Sequence, residues 1–142
     1  MRRRSKAREN ALRALYQLDI THDPVDEGMT SYLRYHRVAK ASQAYVAALV
    51  RGVLTHREAV DAVIARHALN WQLHRMAVVD RNILRLGTYE LVFDHDVPPT
   101  VVINEAVDLA KRYGTPESGK FVNGILDKIH KAEPAAPVTP SA

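Results

Sequence analysis

Apolar residues recur along this chain at spacings of three and four, the mark of amphipathic helices. The densest run spans residues 76–93. There Met76, Val79, Ile83 and Leu86, joined by Leu84 and Leu91, cover more of the helix than one narrow stripe. A helix apolar over that much of its girth is enclosed by others, so the segment reads as a long central helix. Its polar interruptions, Asp80, Arg81, Asn82 and Arg85, cluster within little more than a turn. A solvated strip on a core helix accounts for them as well as a functional cluster does.

The remaining pattern resolves into six shorter helices. The first begins near Arg4, with Ala7, Ala11, Ala14, Leu15 and Leu18 on one face and Tyr16 at the polar border. Arg4 and Arg8, and Glu9 and Arg13, are i, i+4 neighbours on its other faces. Residues 1–6 or so read as a basic arm. Pro24 followed by Asp26 and Glu27 opens a second helix, whose core contacts are Met29, Tyr32, Leu33 and His36. The third turns Ala41, Tyr45, Ala48, Leu49 and Gly52 inward, small residues suited to close packing. The fourth, over 57–69, uses Val60, Val63, Ile64 and His67. The joint at Asn70 and Trp71, with Leu73, leads into the central helix, which the Pro98-Pro99 pair ends.

Helix six carries Ile103, Ala106, Val107, Ala110 and Tyr113. It closes on Lys111 and Arg112, where cations suit the helix dipole, with Gly114 as its stop. Thr115-Pro116-Glu117 opens helix seven as cap, first-position proline and acidic first turn. Phe121, Val122, Ile125, Leu126 and Ile129 form its apolar face, and Gly119 and Gly124 read as close-packing positions. From Glu133 to residue 142, prolines among alanines predict a disordered tail. The expectation is an all-α fold of about seven helices in one domain over 1–132.

Charge sharpens the picture. The chain has 142 residues and a net charge of +4. Six basic residues (Arg2, Arg3, Arg4, Lys6, Arg8, Arg13) against Glu9 put +5 in the first thirteen positions, so the excess sits at one end. That points to a local anionic partner. There is no cysteine, which removes disulfides and thiolate metal sites. No apolar run approaches the roughly 18–20 residues that span a membrane, and no signal-peptide core follows the basic start. The reading is a cytoplasmic, unprocessed protein with no membrane partner.

Catalytic chemistry finds little support. The seven histidines include no i, i+4 helical pair, and there is no phosphate-cradling glycine loop. His22-Asp23 and His95-Asp96 are dipeptides at turns, a match that chance supplies easily. No enzyme, cofactor or metal is expected. The basic start is the better site: arginines neutralise phosphate and stack on unpaired bases, and Tyr16 offers a further stacking surface. The residues alone favour nucleic acid, RNA or DNA, over a solubilising tail or a lipid-bound helix, whose apolar face would need bulkier residues than alanine and leucine.

Several blocks then become recognisable. Val79-Asp80-Arg81-Asn82-Ile83-Leu84-Arg85-Leu86, Thr88-Tyr89-Glu90-Leu91, Ile103-Asn104-Glu105-Ala106-Val107-Asp108-Leu109-Ala110-Lys111 and Gly119-Lys120-Phe121-Val122-Asn123-Gly124-Ile125-Leu126-Asp127 resemble the bacterial NusB antitermination factors. So does Ala14-Leu15-Tyr16 after an arginine-rich start. The match covers 71–128 and 2–18 well and 21–40 loosely. The resemblance implies two three-helix subdomains with the long central helix between them. It implies binding of boxA, a single-stranded RNA element of ribosomal RNA operon leaders, together with NusE, in an antitermination complex with RNA polymerase.

By position it carries RNA contact to Arg2, Arg3, Arg4, Lys6, Arg8 and Tyr16, with Lys120 as an extra phosphate contact, and NusE contact to Asp80, Glu117 and Phe121. Each of the last three has a structural competitor: Asp80 can pair with Arg81 or Arg85, Glu117 can favour a helix start, and Phe121 sits at core spacing with Ile125. NusB-like domains also begin some ribosomal RNA cytosine methyltransferases, but these residues hold no Rossmann region and no cysteine nucleophile. The alternative is a homodimeric protein-interaction module with only nonspecific RNA binding.

Overall fold

The computed structural model of the chain describes residues 2–94 and 96–133, the side chains of residues 2 and 3 excepted. The expectations for the Arg2 and Arg3 side chains, for His95 and for tail residues 134–142 therefore lie outside the described residues. Seven α-helices and one short 3-10 turn account for the regular structure, with no strand among the described residues. They form two compact units, Met1–His56 and Arg57–Ala142.

The first unit holds α1 (Arg2–Thr21), α2 (Val25–Tyr35) and α3 (Lys40–Thr55). Helix α1 begins at Arg2, so the basic segment starts in helical conformation. It packs against both α2 and α3. Ala7, Ala11, Ala14, Leu15 and Leu18 are buried as the pattern requires, and Leu12 joins them. On α2, Met29 and Tyr32 are buried, while Leu33 and His36 are half-buried. The Tyr32 hydroxyl donates to Asn10 Oδ1 at 2.8 Å, so two buried polar groups satisfy each other. Helix α3 departs from the expectation: its buried residues are Val46, Ala47, Leu49, Val50 and Val53, while Ala41 and Ala48 are exposed. Three valines at i, i+4, i+7 remove far more apolar area from water than alanines and glycine, at about 0.8 kcal/mol per methylene, and so decide which way the helix faces.

The second unit holds α4 (Arg57–His67), the 3-10 turn Leu73–Arg75, α5 (Val78–Val92), α6 (Pro99–Tyr113) and α7 (Ser118–Ala132). Helix α5 packs against α4, α6 and α7 and is buried without a break from Asn82 to Thr88. It is central by enclosure rather than by length, matching α6 and α7 at 15 residues. The polar interruptions are not a solvated strip throughout, because Asn82 and Arg85 are buried. Arg85 Nε donates to Asp61 Oδ1 at 2.8 Å and its Nη2 to Asp61 Oδ2 at 3.1 Å, a bidentate pair from α5 to α4. Asn82 Nδ2 donates to the Val78 carbonyl at 2.9 Å.

Of the two glycines expected to pack closely, Gly119 does: it is buried and a Cβ there would lie 3.3 Å from Lys111 Cγ of α6. A Cβ on Gly87 would lie 2.8 Å from Leu126 Cδ1, so α5 approaches α7 there as only glycine permits. Gly124 has nothing within 4 Å of such a Cβ and packs nothing closely. Gly114 follows α6 with a negative φ. Its role is room rather than a left-handed turn, since a side chain there would run into Ser118 and the Ala110 carbonyl.

The turn into α7 is held by side chains: Thr115 Oγ1 accepts from the Glu117 N–H at 3.3 Å, and Ser118 Oγ accepts from the Thr115 N–H at 2.9 Å. The helix itself starts at Ser118, so Glu117 is its N-cap residue, without a side-chain cap bond, rather than part of an acidic first turn. At the far end Glu133, assigned to the tail by composition, is held by α4: Arg66 Nη2 donates to its Oε1 and His67 Nε2 meets its Oε2, both at 2.8 Å. The Arg66 and His67 hydrogen bonds hold its carboxyl down to about 2.

Candidate nucleic-acid and protein interface

The basic candidates with described side chains separate by exposure. Arg4 is exposed, its guanidinium 5.7 Å from the centre of the Tyr45 ring on α3. Lys6 pairs with Glu9 at 2.8 Å but keeps a side chain 66% exposed. The Glu9 side chain is 7% exposed, so the pair is buried on the acid's side and open to a phosphate on the lysine's. Tyr16 is 40% exposed. Arg8 is the correction: it is 2% exposed and already engaged within the protein, so it presents no guanidinium to a phosphate. Charge patterning treats every arginine as solvated, whereas a helix with alanines on several sides draws a long side chain inward. Lys120 is exposed on α7 and belongs to the second unit, whereas the other basic candidates belong to the first.

The other three candidates do come together. Asp80 from α5 and Glu117 and Phe121 from the start of α7 line one cavity of about 250 Å³, with Trp71, Arg75, Met76, Ala77, Thr115 and Ser118. Phe121 is half-buried, so it is neither a core residue nor a free one. Its ring meets Trp71 edge-on, with centroids 5.5 Å apart. Asp80 pairs with neither suggested arginine: Arg85 serves Asp61, and Arg81 donates to the Leu73 and His74 carbonyls at 3.4 Å. Asp80 Oδ1 is buried without a hydrogen-bond partner. A carboxylate oxygen in that state costs the free protein and rewards a donor brought from outside. Sequence reasoning missed Trp71 and Arg75 as members of this site. Trp71 is 56% exposed in an interhelical joint, and a large aromatic in a loop is the signal that was there to read.

Residues 5–131 match the family model described as the NusB family. The chain belongs to the NusB family. It is 47% identical over 135 residues to the transcription antitermination protein NusB of Anaeromyxobacter dehalogenans (strain 2CP-1 / ATCC BAA-258), covering 94% of each chain. It is 46% identical over 129 residues to that of Bacillus licheniformis, covering 91% of this chain and 96% of the relative.

Among solved structures, T. maritima NusB superposes with a TM-score of 0.85 at 40% identity, covering 92% of both chains. A chain in the crystal structure of antitermination factors NusB and NusE in complex with dsRNA superposes with a TM-score of 0.86 at 35% identity, covering 93% of this chain and 98% of that one. The NusB fold is thus all-helical here as in its relatives. No group of three or more metal-ligating side chains occurs among the described residues, and no described helix is long and apolar enough to cross a membrane.

Proposed function

We propose that this NusB-family chain is a transcription antitermination factor that binds the boxA element of ribosomal RNA operon leader transcripts together with NusE, and so promotes read-through by RNA polymerase. It acts in the cytoplasm by binding alone, without catalysis or cofactor. The observation that carries the reading is the convergence of Asp80, Glu117 and Phe121 on one cavity whose Asp80 oxygen lacks a donor. This face receives NusE: a basic or hydrogen-bonding side chain of the partner reaches Asp80 while its apolar neighbours cover Trp71 and Phe121. In the first unit, Arg4 and Lys6 neutralise RNA phosphates and Tyr16 stacks on a base, joined by Arg2 and Arg3. Lys120 adds a phosphate contact from the second unit. A complex of a relative with NusE and dsRNA supports NusE and RNA as the classes of partner.

The test is fluorescence anisotropy of labelled boxA RNA and a base-scrambled control, with and without NusE, over a range of salt. Preference for boxA that NusE strengthens is the expected result, with a slope of about −0.7 in log K against log salt per phosphate neutralised. Removing Arg2–Arg4 flattens that slope while far-UV circular dichroism stays unchanged. Equal binding to both RNAs without response to NusE refutes the proposal and leaves the alternative, a homodimeric module with nonspecific RNA binding, which light scattering against concentration detects.

A further inference from the structure

The first unit carries a second cationic region. Between Glu27 and Glu58 the chain has no acidic residue, and the part of that stretch in the first unit holds Arg34, Arg37, Lys40 and Arg51. Arg51 is paired with Asp26 at 3.0 Å. Arg34 and Arg37 are exposed at the C-terminal end of α2, as is Arg13 on α1, and no ion pair among the described residues neutralises any of the three.

In their midst stands Tyr35, 82% exposed, the most exposed large hydrophobic side chain among the described residues. Its one ring contact is edge-on to His36, with centroids 5.0 Å apart. His36 rests on Tyr32 at 4.2 Å, and Tyr32 is buried and bonded to Asn10 of α1. The exposed ring therefore stands on a foundation fixed to the core. Burial first and the Arg13 charge second push the His36 imidazole down. Arg13 and Tyr16, three residues apart on α1, share an exposed face, and so join the cluster to the basic start of the helix. Arg37 itself has a φ of 51°, a left-handed conformation at a helix end that glycine or asparagine adopts more easily. A cation held at such a position is not there for the sake of the turn.

We infer that the C-terminal end of α2 is a second single-stranded RNA subsite, in which Tyr35 stacks on an unpaired base while Arg13, Arg34 and Arg37 take the adjoining phosphates. The inference rests on the RNA-binding reading above and extends the path from Lys6 along Arg13 and Tyr16. An aromatic platform within unpaired cations is what sequence-tolerant single-strand binding requires. One exposed aliphatic side chain, Ile20 of α1 at 52%, gives an anionic lipid surface little to bury, and the vesicle arm of the experiment separates that occupant from RNA.

The experiment compares Tyr35→Ala, Tyr35→Phe and Arg37→Gln with the unaltered chain by anisotropy on boxA RNA extended by several nucleotides at either end, and by sedimentation with anionic phosphatidylserine vesicles. Tyr35→Ala weakens RNA binding by about 5- to 150-fold with an unchanged salt slope, and Tyr35→Phe binds within about twofold of the unaltered protein. Arg37→Gln flattens the slope by about 0.7. Circular dichroism stays unchanged in all three. If Tyr35→Ala binds RNA as tightly as the unaltered chain while loss of Arg4 and Lys6 weakens it, the subsite is refuted and the broader RNA reading stands. If Tyr35→Ala loses vesicle binding instead of RNA binding, the subsite is equally refuted. If the unaltered chain binds no RNA, both fail.

Discussion

Replacing Asp80 with alanine separates the cost of the partner site from its use. In the free protein, the buried Asp80 Oδ1 has no hydrogen-bond partner, a state that costs about 1–3 kcal/mol. Against that, a carboxylate in the first turn of α5 contributes about 0.3–1 kcal/mol through the helix dipole, while alanine regains up to about 0.7 kcal/mol of helix propensity. The balance is a gain of about 1–2 kcal/mol for Asp80→Ala, or about 4–7 °C in Tm for a chain of this size. If the oxygen exists to meet a donor from NusE, the same change removes a charge-assisted hydrogen bond of about 1.5–3 kcal/mol and weakens NusE about 10- to 150-fold. Differential scanning calorimetry of the free protein and isothermal titration with NusE give the two numbers. A variant that is less stable than the parent yet binds NusE normally refutes the reasoning, because Asp80 is then a structural acid and the cavity a packing defect.

Two further predictions follow from local geometry. Gly124→Ala, with open space around the added methyl, stabilises the protein by about 0.5–1 kcal/mol. Gly87→Ala, whose methyl meets Leu126 at 2.8 Å, destabilises it by about 1–3 kcal/mol; urea melts that rank the two the other way overturn the α5–α7 contact. Glu133→Gln tests the anchor at the end of α7. The Glu133 carboxyl is held down to about 2 from 4.5, so its contribution is fully present above about pH 5 and disappears as pH falls towards 2. The Tm difference between Glu133→Gln and the parent is therefore constant from pH 5 to 7 and closes in acid, and a difference that does not change with pH rules out the ionised carboxylate as its source.

The central helix was legible because enclosure leaves its mark on composition: α5 is apolar around most of its girth, and only an enclosed helix can be. The same logic misplaced the inner face of α3, where alanine and glycine at helical spacing read as packing positions while the valines at 46, 50 and 53 took the core. Small residues permit burial, but large apolar ones drive it. Charge was read with the same one-sidedness. A surplus over the first thirteen residues stood out, but Arg8 within it is buried, since residue type does not report which side of a helix the core covers. The near-neutral sum of the rest concealed an acid-free stretch from 28 to 57, because acids elsewhere cancel it in the total though not in space. Phe121 lay between two readings for a physical reason: half-buried against Trp71, it serves the core with one edge and the cavity with the other.

The division into two units sharpens the functional reading into a test of independence. The candidate RNA residues Arg4, Lys6, Arg13, Tyr16 and Tyr35 belong to the first unit, with Lys120 the one such candidate in the second, and the Asp80 cavity belongs wholly to the second. Each unit has its own buried core, so a surface change in one leaves the other's side chains where they are. Asp80→Ala should therefore leave RNA binding by the protein alone unchanged and raise about 10- to 150-fold the NusE concentration at which RNA binding tightens. Tyr35→Ala should do the converse, weakening RNA while NusE binds the RNA-free protein as before. Linkage fixes the relation between them, because any factor by which NusE tightens RNA must equal the factor by which RNA tightens NusE. If either variant moves both binary affinities, the two sites share residues, and assigning one partner to each unit is wrong.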